Sequence, residues 1–360
     1  MNPTVIPALL IHGILAAVFA SPGAAGQPPD FSGEAAYRHV RTQVGFGPRF
    51  VGSEGHARQR EWMIAHLRER ADTVVLQQFT HRFRDGETRE LTNIIARFRP
   101  DAAERVLLLT HWDTRSVADE EPDRSRRRRP IPGANDGASG TAVLLELADV
   151  LSRHAPPLGV DLLFIDGEDY GPGDMFLGAE HFADNLPPAP ARPRYGILLD
   201  MVGDADPWFP MEENSRRYAP DLLRRVWDTA ARLGYGDMFV REEFPAVIDD
   251  HVPLNEAGLS TIDIIDPDYG PDSRYWHTLD DDLPNTSPRG LEAVGRVLLA
   301  LLFEERTGPG NSTASSGKSS PGPPHSFLVV TDTATRRRPC TSRSIRPSST
   351  SAHPSCSSAR

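Results

Sequence analysis

Histidines and carboxylates recur along the 360-residue chain in short groups, several of them directly after an apolar run. His111 and Asp113 follow "RVLLLT". Asp166, Glu168 and Asp169 follow "GVDLLFI". Asp200 and Asp204 sit at the end of "YGILLDMVGD". Asp263 and Asp266 lie in "LSTIDIIDPD", and His277 comes in the loop beyond it. One further carboxylate, Asp136, stands among glycines and small residues in "PIPGANDGASGTAVLLELADVL", just ahead of a long apolar run. Brought to one place, these groups would repel one another unless a cation sat among them. Mixed imidazole and carboxylate ligation suits zinc. A zinc ion beside a free carboxylate can polarise a carbonyl and move a proton.

The elements between the polar groups say how they could converge. "RVLLLTHWD", "GVDLLFIDGED", "YGILLDMVGD" and "LSTIDIIDPD" are near-continuous apolar runs with polar ends, the pattern of strands buried on both faces. "GTAVLLELADVLSRH", "SRRYAPDLLRRVWDTAARLGY" (closed by Gly234) and "SPRGLEAVGRVLLALLFEE" carry apolar residues at helical spacing. Residues 31–99 add a leading helix, "ARQREWMIAHLRER", and two antiparallel edge strands. Strands alternating with helices predict one α/β domain, a three-layer α/β/α sandwich around a mixed, mostly parallel sheet. Ligands of such sheets bind beyond the carboxyl ends of the strands, where the polar groups fall. Asp136 then opens a helix whose glycines leave room for a metal and a substrate near the backbone. The competing role for Asp136 is a helix cap. His181, in "LGAEHFADNL", reads as a helix-surface residue.

Composition narrows the classes. With 39% hydrophobic residues and a net charge of −11, the chain can build a large core and is a poor nucleic-acid binder. Its two cysteines, Cys340 and Cys356, lie in a polar tail, which excludes a structural disulfide or a thiolate zinc site in the folded part. The stretch "IPALLIHGILAAVFASPGAAG" reads as a secretory signal over residues 1–26, predicting export to a periplasm or outside the cell, with no stable membrane insertion after cleavage. Residues 31–306 form the predicted domain, and 307–360 a Ser-, Pro- and Arg-rich disordered tail. The run "RSRRRR" (Arg124–Arg129) is expected in a solvated loop.

In order, "HWDTR", "GANDGASG", "DGED", "LLDMVGD", "DDHVP" and "YWHT" resemble the zinc-dependent exopeptidase family that holds aminopeptidases and animal-type glutaminyl cyclases, and most closely its bacterial cyclase members. The resemblance spans roughly Ser32 to Glu305. It implies one zinc ion held by Asp136, Asp169 and His277, with Glu168 as general acid/base. It also implies supporting roles for Asp200 and Asp250, and a substrate wall that includes Trp276. Trp112 and His251 are further candidates for substrate contact, with rim packing and loop orientation as their plainer roles. The chain departs from the family at two places. The commoner Glu-Glu pair is here Glu168-Asp169, so the two residues could exchange roles. Asp263 stands where vertebrate cyclases carry a histidine.

The implied reaction is conversion of amino-terminal glutamine of peptides, and slowly glutamate, to pyroglutamate. The α-amine attacks its own side-chain carbonyl, and a carboxylate carries the proton to the leaving ammonia. The rival is an aminopeptidase with two zinc ions, in which His111 and Asp200 join the second site and Asp136 bridges. A catalytically inactive peptide-binding homologue is a third class, and would require a broken ligand set.

Overall fold

The computed structural model describes residues 28–189 and 191–304; the leader and the tail read from composition lie outside them. The central sheet has six strands: β1 (Thr73–Arg82), β2 (Thr88–Phe98), β3 (Arg105–His111), β4 (Gly159–Ile165), β7 (Gly196–Asp200) and β10 (Thr261–Ile265). Two small pairs stand apart from it: β5 (Asp169–Gly171) with β6 (Asp174–Met175), and β8 (Phe209–Glu212) with β9 (Phe239–Phe244). The spatial order is β1-β2-β4-β3-β7-β10. The last four strands run parallel, and β2 runs antiparallel to both its neighbours. The mixed, mostly parallel sheet is as expected. Of the two strands expected at an edge, only β1 is one; β2 is interior, between β1 and β4.

Strict alternation explains why the sheet is covered twice. Val106 and Leu108 of β3, with Val160, Leu162 and Phe164 of β4, face one core. Leu107 and Leu109, with Leu163 and Ile165, face another. On the first side lie α1 (Gly33–Val44), α2 (Glu54–Arg68), α3 (Ala138–Arg153), α6 (Pro220–Arg232) and α8 (Pro288–Glu304). On the second lie α4 (Leu177–Asp184) and α7 (His251–Glu256). Each buried aliphatic side chain stabilises by about 1.5–3 kcal/mol, so both faces hold the sheet firmly.

Helix ends follow local chemistry. Ser32 accepts the Ala35 amide at 3.1 Å and Ser53 the His56 amide at 3.1 Å, capping α1 and α2. The sequence reading places no helix over α1, although its buried Gly33, Ala36, Tyr37 and Val40 recur at helical spacing. The single helix expected over residues 215–235 is two, α5 (Glu213–Tyr218) and α6, separated at Ala219. Pro220 is the reason: its ring drives the preceding residue out of helical geometry, while proline itself suits a first helical position.

Candidate active site

The parallel strands deliver His111, Asp166, Glu168, Asp169 and Asp200 to one end of the sheet. Helix α3 brings Asp136 to the same end by an unusually close approach. Gly137 has φ +89°, and a side chain on it would come within 2.2 Å of the Asp113 carbonyl. A Cβ on Gly140 would meet Thr110 Oγ1 at 2.2 Å and the Leu199 carbonyl at 2.6 Å. The small residues of "GANDGASG" thus let the helix end press onto β3 and β7. Gly137 takes the cap position with no side-chain cap, so Asp136 is not spent on capping.

Two triplets of ligand-competent atoms form here, sharing Asp136: Asp136, Asp169 and His277, and His111, Asp136 and Asp200. His277 Nε2 lies 3.7 Å from both Asp136 Oδ2 and Asp169 Oδ2. His111 Nε2 lies 3.2 Å from Asp200 Oδ1 and 3.3 Å from Asp136 Oδ1. His277 sits at φ +54°, in the left-handed region that a non-glycine residue rarely occupies. Asp169 Oδ2 is buried with no hydrogen-bond partner. An orphaned carboxylate oxygen facing an imidazole and a second carboxylate is what a divalent cation would satisfy, so the donor set fits zinc.

Backing groups hold these donors. The Arg115 guanidinium donates to Asp169 Oδ1 and makes two 2.8 Å bonds to Asp119, whose Oδ1 lies 3.4 Å from His277 Nδ1. Asp113 accepts the Glu168 and Asp169 amides at 3.1 and 3.3 Å. Asp281 accepts the Asn135 amide at 2.7 Å and the Tyr269 hydroxyl at 3.0 Å, fixing the Asp136 loop. The fully buried Arg49 donates to the Pro132 and Gly133 carbonyls of that loop. Sequence reasoning assigned none of these roles to Arg115, Asp119, Asp281 or Arg49. Arg115 stands inside "HWDTR", but nothing local shows that it reaches Asp169.

A cavity of about 340 Å³ opens over the donors. Asp136, Glu168, Asp169, Asp200 and His277 line its polar side, and Trp276 stacks on His277 at 3.7 Å. Phe244, Val247 and Ile248, which no sequence pattern singled out, supply apolar wall. Trp112 is not on that wall. It is fully buried and stacks on His56 at 4.2 Å, because its position past the end of β3 turns the indole into the core. His251 is also fully buried, between Glu212 and Asp263, and does not reach the cavity. Asp250 is fully buried and does not line the cavity. Arg126, from the basic run, pairs with Glu121 at 3.1 Å.

Burial dominates the electrostatics. It pushes Glu168 well above the usual carboxylate range, and Asp169, Asp249 and Asp250 add to this against the pull of His111. Asp169 is pushed up to about 7, by burial first and then by Asp136. Burial also holds Asp250 and Asp263 well above their ordinary values, with Asp249 the leading charge in each case. For His111 burial acts downward, but Asp113, Asp136 and Asp200 together overcome it and raise the imidazole.

An α/β/α sandwich with histidine and carboxylate donors gathered at its strand ends is the frame of an enzyme site able to hold a metal. The sequence profile of peptidase family M28 matches residues 93–302. The chain belongs to that family. Porphyromonas gingivalis glutaminyl cyclase superposes with a TM-score of 0.73 at 38% identity, over 76% of this chain and 99% of that one. A Zn-dependent exopeptidase from Parabacteroides distasonis gives 0.73 at 36%, over 77% and 99%. A glutaminyl-peptide cyclotransferase-like protein of Bos taurus is 27% identical over 285 residues, 71% of this chain and 72% of the relative. The resemblance read from the ordered motifs is borne out.

Proposed function

We propose that this chain is a zinc-dependent glutaminyl-peptide cyclotransferase, converting amino-terminal glutamine of peptides to pyroglutamate with loss of ammonia, and glutamate slowly with loss of water. Likeness to several glutaminyl cyclases, among solved structures and among sequence relatives alike, supports the choice of reaction. The donor set supports the chemistry. Asp136, Asp169 and His277 would hold the ion, which when bound supplies Lewis acidity toward the side-chain carbonyl.

The rest falls to the chain's own groups. The cavity binds the amino-terminal residue with Trp276 and Ile248 at its mouth, and holds the amine near the γ-carbonyl. Glu168, on the cavity floor beside the donors, accepts a proton from the attacking amine and returns it to the departing nitrogen. Its raised affinity for protons suits both halves of that transfer. Asp200, which also lines the cavity, would accept a hydrogen bond from the amine.

One observation favours a second reading. The donors His111, Asp136 and Asp200 are spaced more tightly than the first triplet, as a second zinc site of an aminopeptidase would require. The full-length chain, loaded with zinc, is offered Gln-β-naphthylamide and Leu-β-naphthylamide, with products read by mass spectrometry. Ammonia loss from the glutamine compound with leucine untouched is expected. Release of free leucine would overturn the cyclase reading. We also propose export, on the strength of the apolar leader; among the described residues no helix is long and apolar enough to cross a membrane. Amino-terminal sequencing of the mature protein, expected to begin near residues 24–26 onward, tests this.

A further inference from the structure

Three helices bring a separate set of donors together on the first face of the sheet. His39 comes from α1, His66 from α2 and Asp149 from α3. His39 Nε2 lies 3.6 Å from Asp149 Oδ2, and His66 Nε2 lies 3.3 Å from the same oxygen. The two imidazoles meet edge to face, with centroids 5.0 Å apart. Ligand atoms around a tetrahedral zinc ion, with bonds of about 2.0–2.1 Å, stand roughly 3.3 Å from one another. This trio therefore matches that spacing at least as well as His277 does with Asp136 and Asp169, at 3.7 Å. None of the three lines the active-site cavity.

Two further observations point to a ligand. His66 has only 10% of its side chain exposed, yet its Nε2 is buried without a hydrogen-bond partner. The carboxylate is also pre-aimed. Arg70 Nε donates to Asp149 Oδ1, and Arg70 Nη1 anchors itself on the His66 carbonyl at 2.8 Å, leaving Oδ2 toward the rings. His39 and Asp149 keep 16% and 18% exposure, so an ion can enter and retain a water.

We propose that His39, His66 and Asp149 form a second, peripheral site for a divalent transition-metal ion of the zinc class, which staples α1 and α2 to α3. Two imidazoles and one carboxylate favour such an ion over calcium or magnesium, which prefer all-oxygen ligation. The staple would matter at the active end. Gln43 of α1 bonds the Ala138 carbonyl at 2.9 Å, and Gln59 of α2 bonds the Trp112 carbonyl at 2.9 Å. His56 of α2 holds Asp166 at 2.8 Å.

The test is zinc stoichiometry. Full-length protein is stripped with chelator, equilibrated with zinc and desalted, and its metal is counted by plasma mass spectrometry. His39→Gln and His66→Gln should each lose one equivalent relative to the parent while keeping their circular dichroism. Asp136→Asn should keep the equivalent that those variants lose. Unchanged stoichiometry in both glutamine variants would overturn the site, leaving the trio as an interhelical ion pair. Should the variants not fold, zinc-edge anomalous diffraction on the parent decides: a peak between the two rings supports the site, and none sinks it.

Discussion

Asp169 serves two neighbours with one short carboxylate. Its Oδ1 accepts from Arg115, while its buried Oδ2 stays unpartnered beside Asp136 and His277. The ligand position is one methylene shorter than the commoner glutamate, and the arginine fixes which oxygen remains free. Arg115→Gln should therefore weaken zinc binding about 10–100-fold, as loss of groups behind metal ligands commonly does, measured by competition with a chromophoric chelator. Unchanged affinity would reduce Arg115 to packing. Glu168 makes a different prediction because it is no member of either metal triplet. Glu168→Gln should retain zinc yet lower turnover by about 10²–10⁴-fold. If the loss instead appears in Asp169→Asn with zinc still bound, the two residues have exchanged roles.

At the level of elements, the amino end of α3 is the part most constrained by its surroundings. Its backbone presses against β3 and β7, and the contacts are to backbone and to a short hydroxyl side chain, which cannot swing away. Gly140→Ala should destabilise the fold by about 1–3 kcal/mol, read from urea unfolding, and should lower zinc occupancy as Asp136 is pushed off its partners. A stable variant with full zinc would show that the helix can back away at little cost.

For the whole molecule, crowding so many acids at one end of a sheet has a consequence for stability. Asp249 and Asp266 are both pushed up to about 7, by burial first; Asp200 adds to the shift of Asp249, and the Trp208 amide opposes that of Asp266. A carboxyl whose affinity for protons is higher folded than unfolded favours the native state while both forms are protonated. That advantage falls as pH rises from about 4 to about 7, because only the unfolded chain ionises freely. The chelator-stripped protein should therefore lose thermal stability across that window, and Asp266→Asn should flatten part of the slope. A melting temperature that rises steadily from pH 5 to pH 8 in the stripped protein would contradict this electrostatic account.

The residues themselves determined a good deal. Apolar runs with polar ends named four buried strands, and their ends named His111, Glu168, Asp169 and Asp200. The segments beside those strands named Asp136 and His277, and the ordered motifs added Trp276 and pointed to the family. These features are local, so spacing along the chain carries them. What only the tertiary structure decided joins distant positions. Arg115 meets Asp169 across 54 residues, and Asp281 meets Asn135 across 146. Trp112 looks like a pocket residue in its motif, but its indole stacks on His56 of α2, a neighbour that no periodicity reveals. The trio of His39, His66 and Asp149 depends likewise on how three helices dock. Helical spacing tells which face of a helix is buried, but only packing tells which side chain of another helix waits there.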